Sequence, residues 1–184
     1  MPIDPTNLPY RPCVGLMVLN REGHVWIGER TGSPNQDAAA RGKLGGWWQM
    51  PQGGIDEGEL PEATALRELH EETGMRQAHI VAESAHWYNY DLPKDLLSRV
   101  WKGRYRGQTQ KWFALRFTGD DSEIDIDPVE HDAEFSRWRW APVGEVMDLI
   151  VPFKRDVYVK VLDEFRHLAV PVVATTNRTP DRGV

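Results

Sequence analysis

The chain has 184 residues, 40% hydrophobic and 27% charged, a size suited to one domain with a substantial core and little beyond it. Twenty-two Lys and Arg against 28 Asp and Glu leave a net charge of −6. That excludes a wholly basic nucleic-acid-coating protein, though not a local basic face. The single cysteine, Cys13, excludes an internal disulfide framework and a cysteine-based zinc ribbon.

Met1 to Tyr10 carries three prolines and no apolar stretch, unlike a secretory signal. No run approaches the roughly 18 apolar residues of a membrane span. The expectation is a cytoplasmic protein with no membrane partner. The domain is expected over residues 9–170, with flexible termini at 1–8 and 171–184.

The first predicted strand is Cys13–Leu19, almost wholly apolar and therefore buried on both faces. Asn20–Gly23 is a turn, and Val25–Arg30 returns as a partner strand. Thr31–Gly46 is rich in small residues without a period, which reads as a mobile insertion. Pro61–Thr73 reads as a helix, with proline in its first turn and Gly74 past its end. Trp112–Thr118 and Phe135–Trp140 have strand composition. Lys154–Leu168 is predicted helical, with Val157, Val161, Leu162, Phe165 and Leu168 as its apolar stripe. Strands and helices are interspersed without regular βαβ units, which predicts a mixed sheet covered by helices.

The Pro61–Thr73 segment carries the chemistry. At about 100° per residue, Ala65, Leu66, Leu69 and Thr73 cluster on one side, and Glu68, Glu71 and Glu72 share an arc beside it. Carboxylates three and four residues apart repel, and two of these also sit in the last turn, where the helix dipole disfavours anions. A helix built only to pack would gain from Lys or Gln at these positions. Breaches of this kind concentrate at functional sites. A divalent cation would reverse the sign of the energy, and an all-oxygen donor set suits Mg²⁺ or Mn²⁺ rather than zinc. A solvated acidic face is the plain alternative. His70-Glu71-Glu72 is not a zinc-binding HExxH motif, because Gly74 stands where the second histidine belongs.

Gly53, Glu59, Arg67, Glu68, Leu69, Glu71, Glu72, Gly74 and Met75 meet every fixed position of the Nudix box, which the segment therefore resembles. The resemblance implies an α/β fold, the Nudix α/β/α sandwich, with a mixed central sheet and a loop–helix–loop catalytic motif. It implies hydrolysis of a nucleoside diphosphate linked to a further group. Glu68, Glu71 and Glu72 would hold Mg²⁺ or Mn²⁺, and Glu59 and Arg67 would pair to hold the loop against the helix. Gly53 and Gly54 would let backbone amides approach a phosphate.

Tyr10-Arg11-Pro12, Trp48–Gly54, Gln110–Phe113, Phe135–Trp140 and Phe153–Tyr158 resemble one branch of that family. It contains the RNA pyrophosphohydrolases and the asymmetrically cleaving diadenosine tetraphosphate hydrolases. Carried over by residue, Glu134 would be a further metal ligand or the base. Arg11, Arg30 and Lys154 would contact phosphates, Tyr90 would lie near them, and Phe153 would stack on a base. Core packing is the alternative for Phe153, and a solvated helix position for Lys154. The long loop after Arg30 departs from the compact RNA enzymes and leaves the role of Arg30 and the substrate preference open.

Charge is also uneven. Lys94–Lys111 holds six basic residues and one acid, whereas Gly119–Glu134 holds eight acids and no Lys or Arg. The basic, Trp- and Tyr-bearing segment either guides a polyphosphate or an RNA 5′ end, or pairs with neighbouring solvated acids. The expected function is RNA 5′ pyrophosphohydrolysis, with diadenosine tetraphosphate hydrolysis to ATP and AMP as the alternative. A module that binds nucleotide or RNA without turnover is a third reading, disfavoured because every box carboxylate is kept.

Overall fold

The computed structural model describes residues 7–31, 47–98, 100–127 and 132–172. Most of the termini expected to be flexible (1–8 and 171–184) and most of the Thr31–Gly46 insertion lie outside the described residues. The strands are β1 (Tyr10–Leu19), β2 (Val25–Arg30), β3 (Trp48–Gln49), β4 (Gln52–Gly54), β5 (Ala78–Asp91), β6 (Gly107–Phe117) and β7 (Phe135–Ala141). The helices are α1 (Pro61–Thr73), α2 (Val143–Leu149) and α3 (Arg155–Phe165).

β1 is the centre of the mixed sheet. It runs parallel to β6 from Tyr10 opposite Gly107 to Leu19 opposite Arg116, and β6 pairs antiparallel with the edge strand β5. Its run from Cys13 to Leu19 is buried throughout, because alternate side chains serve two cores. Val14, Leu16 and Val18 pack with Ala65 and Leu69 of α1. Met17 and Leu19 pack with Val157, Val161, Leu162 and Phe165 of α3. The sheet is thus sandwiched between helices.

β1 and β2 are paired only at Leu19 opposite Val25 and diverge beyond it. The segment from Trp48 to Gly54 fills the wedge: β3 pairs with β2 at Glu29 and Gly28, and β4 pairs with β1 from Cys13 to Gly15. Between them the Pro51 carbonyl accepts from Leu16 N at 2.9 Å. β7 covers the other edge of β2. The Asn20 turn closes through its own side chain, which accepts from the backbone of Glu22 and His24, as Asx turns do.

Several boundaries and one face differ from the sequence expectation: β1 starts at Tyr10 rather than Cys13, and β6 runs Gly107–Phe117 rather than Trp112–Thr118. The second long helix begins at Arg155, after a 3₁₀ turn over Pro152–Lys154, and ends at Phe165 in another. On α1 the buried residues are Thr64, Ala65, Leu69 and Thr73, whereas Leu66 is exposed. The buried stripe therefore passes through position 64 rather than 66. β3, β4, β5 and α2 were not anticipated.

The turn between β3 and β4 is also held from α3, Met50 N donating to the buried Tyr158 Oη at 2.9 Å. Tyr158→Phe leaves a buried N–H unpartnered, a loss of about 1–3 kcal/mol. Urea unfolding is expected to show a lower midpoint at unchanged slope.

Candidate functional site

The sheet wedge fixes one wall of the site and α1 the other. Arg67 joins them, using all five of its donors. Nε and Nη2 donate to the two Glu59 oxygens at 2.9 and 2.8 Å, and Nη2 also donates to the Gly54 carbonyl at 3.0 Å. Nη1 donates to Glu68 at 2.9 Å and Glu71 at 3.0 Å. The guanidinium holds the Glu59 carboxyl down at about 2, and its own pKa is raised by the same partner.

Gly53 and Gly54 permit close approach, but to side chains. A Cβ on Gly53 would stand 1.7 Å from the Glu68 carboxyl carbon, and one on Gly54 2.2 Å from Arg11 Nη2. Glu68 and Arg11 are therefore seated directly against the β4 backbone. Glu72 is fastened to the same strand, accepting from Gln52 N at 3.0 Å.

Glu68, Glu71, Glu72 and Glu134 line one depression of about 170 Å³ together with Asp132. Asp132 was read in sequence as part of a solvated acidic run; its spacing of two from Glu134 was the available signal. Burial pushes the Glu68 carboxyl up, opposed by Arg67. It pushes Glu72 well up, and the charges of Glu134 and Glu68 add to the shift. An all-oxygen set that is partly desolvated and mutually repelling fits a hard divalent cation. Among the described residues, no three His, Cys, Asp or Glu side chains converge as a closed ligand cluster. Glu68 and Glu71 instead lean on Arg67, and Glu134 lies 2.9 Å from Arg30 Nη2.

The cationic side is built from buried amides. Lys154 is 2% exposed, so it is no solvated helix residue. Its Nζ donates to Gln49 Oε1 at 2.8 Å and Gln52 Oε1 at 2.9 Å. Burial lowers its pKa to about 7, with the charge of Arg30 acting the same way. Gln110 Nε2 donates to Gln52 and Gln108, extending the amide network across β4 and β6. Gln49, Gln52 and Gln110 fall in the segments that resemble the family branch but carry no assigned role there, and Gln108 is absent from them, although Gln108 and Gln110 share a strand face by their spacing.

Tyr90 is buried, with Lys154 Nζ 5.6 Å from its ring centroid. Phe153 is half-buried between rings, 5.7 Å from Tyr90 and 6.2 Å from Trp47. The structure thus brings the acidic set, Arg30 and the Lys154–Gln49–Gln52 cluster around β3 and β4. Arg11 stands at Gly54, and Phe153 and Tyr90 stand beside Lys154.

A family model described as NUDIX domain matches residues 9–161. An RNA pyrophosphohydrolase from Mesorhizobium japonicum is 57% identical over 169 residues, covering 91% of this chain and 96% of that protein. One from Brucella anthropi is 56% identical over 169 residues, covering 91% of this chain and 95% of that protein. A solved structure, the E. coli dihydroneopterin triphosphate pyrophosphohydrolase, matches in fold with a TM-score of 0.60 at 17% identity, covering 85% of this chain and 99% of that one. With the family model spanning most of its length and relatives above half identity, this chain belongs to the NUDIX family.

Proposed function

We propose that the chain is a divalent-cation-dependent hydrolase that converts 5′-triphosphorylated RNA to 5′-monophosphorylated RNA. The observation that carries the hydrolase chemistry is the depression lined by five carboxylates, with Arg30, Lys154 and Arg11 around it. The names of relatives above half identity support RNA as the substrate.

Glu68, Glu71 and Glu72 would hold the cations, Mg²⁺ or Mn²⁺, with Glu134 as a further ligand or as the acceptor of the water proton. When bound, such ions neutralise polyphosphate oxygens and lower the pKa of the attacking water. Arg67 fixes two of the carboxylates and the Gln52 amide fixes the third, so little reorganisation accompanies charge development. Arg11, Arg30 and Lys154 bind phosphate oxygens, and Gln49 and Gln52 aim the Lys154 ammonium. Arriving phosphate raises the lowered Lys154 pKa and secures its charge. Phe153, with Tyr90 beneath it, offers a face to a base. Water oxygen bonds to phosphorus as a phosphoanhydride bond breaks, and pyrophosphate or successive phosphates leave.

The test is competition in Mg²⁺ between 5′-triphosphorylated RNA and diadenosine tetraphosphate at equal concentration. Faster RNA 5′ conversion is the expected result. Faster release of ATP and AMP would make the dinucleotide the main substrate, and binding of RNA without turnover of either would leave a non-catalytic module.

Glu72→Gln is expected to lower kcat by about 10²-fold or more with the fold intact by circular dichroism; a variant keeping a tenth of the rate would contradict the assignment. A second prediction concerns pH. Glu68 and Glu72 are raised above 4.5 in the folded protein, so cation binding must displace protons and its affinity climbs as pH rises toward their folded values. Without cation, the same shifts stabilise the fold most below 4.5 and are lost as pH rises through those values. Calorimetry of Mn²⁺ binding in two buffers of different ionisation enthalpy is expected to report net proton release.

A further inference from the structure

The connection from β5 to β6 holds a feature that hydrolysis at the carboxylates does not use. Trp101 (φ 49°, ψ 30°) and Lys102 (φ 57°, ψ 30°) are consecutive non-glycine residues in the left-handed region. Left-handed backbone strains any residue that carries a Cβ, and a bulky residue there is a genuine outlier. Gly103, at φ 71°, is the neighbour that accepts such a conformation freely. The chain nevertheless keeps an indole and an ammonium at the two strained positions.

The Trp101 ring reaches a residue of the site. Arg11 lies over the Trp101 ring, 5.6 Å from its centroid, and the same guanidinium is seated on Gly54, next to the glycine that seats Glu68. Tyr105 meets Trp101 edge-on at 6.1 Å, and the Arg104 guanidinium stands 5.8 Å from the Tyr105 centroid. Lys102 and Arg104 are exposed, whereas Trp101 and Tyr105 are only partly covered. Partly open aromatic rings flanked by exposed cations are what a single-stranded nucleic acid uses, stacking bases on rings while phosphates track the charges. Arg104 Nε is tied to the Trp101 carbonyl at 3.3 Å, so ring and cation are held in one loop.

The geometry points to the Trp101–Tyr105 loop as a platform for the RNA strand beyond its reacting 5′ end, with Trp101 and Tyr105 stacking on bases and Lys102 and Arg104 contacting phosphates. This rests on RNA being the substrate and adds what that reading lacks, a place for the rest of the strand. A free mononucleotide or a compact dinucleotide has no chain to lay there. The platform favours long RNA over short substrates by affinity, not by chemistry.

The test uses binding rather than turnover, so it separates from the competition experiment above. A 3′-labelled eight-nucleotide RNA with a 5′-hydroxyl carries nothing for the polyphosphate site, and its anisotropy is followed against salt for the full chain. Lys102→Ala with Arg104→Ala is expected to flatten the log–log salt slope by about 1.4, two contacts at roughly 0.7 each on a single strand. Trp101→Ala is expected to weaken binding at least five-fold with the slope retained, the low end of about 1–3 kcal/mol per stacked base. Trp101→Phe, which keeps a ring, is expected to restore affinity to within two-fold. Unchanged slope and affinity in all three variants, or no binding of the 5′-hydroxyl RNA by the parent protein, would overturn the platform whether or not triphosphorylated RNA is hydrolysed.

Discussion

The guanidinium of Arg67 is the interaction on which the site's geometry depends. It reaches a loop carboxylate, a strand carbonyl and two helix carboxylates at once. Arginine alone presents five donors in a rigid fork. Lysine could neutralise one neighbour but could not fasten β4, the loop through Glu59 and α1 together. The fork does not cancel the local charge, however. Arg67 faces Glu59, Glu68 and Glu71, and Arg30 pairs with Glu134, so the acids of the depression still outnumber the arginines that meet them. The fold supplies geometry and leaves the excess negative charge for a cation.

That division recurs in the sheet. β1 and β2 part after their shared hairpin, and the short β3–β4 segment fills the gap with backbone pairing and a buried tyrosine hydroxyl. The wedge brings Gln49, Gln52, Gly53 and Gly54 to one place. On one side Gly53 and Gln52 receive Glu68 and Glu72; on the other Gln49 and Gln52 receive Lys154. Acidic and cationic halves of the proposed site are therefore held by the same few residues. A phosphoanhydride lying between them would meet both without a large rearrangement.

How much of this was legible in sequence follows from how local each feature is. β1, β2 and their turn were readable because an unbroken apolar run and an Asn-initiated turn act over neighbouring residues. The carboxylate helix α1 was readable through its spacing, and more sharply through its resemblance to the Nudix box. β5 was not, because its outward positions include the apolar Val81 and Trp87, both exposed, while an inward one is the polar Ser84, so composition hides the alternation that its burial follows. β3 and β4 are two and three residues long, and pairing with distant strands alone makes them strands. Lys154 is read in sequence as a phosphate contact or a solvated helix residue; its burial was not legible because the glutamines that hold it lie about a hundred positions earlier. Its neighbour Arg30 was read as a phosphate contact, and its ion pair with Glu134 spans an equally long separation. Leu66 was assigned to the buried face because an apolar residue at helical spacing is usually core; here Thr64 takes that place by donating to the Leu60 carbonyl.

The central claim is that the carboxylate depression is a cation site and not a solvated acidic face. Anomalous diffraction from crystals grown with Mn²⁺ tests it most directly. The account predicts manganese peaks at about 2.1–2.3 Å from carboxylate oxygens of Glu68, Glu71 and Glu72, near the oxygen distances of such ions. Saturating Mn²⁺ with no peak in the depression, or peaks confined to other exposed acids, would contradict it.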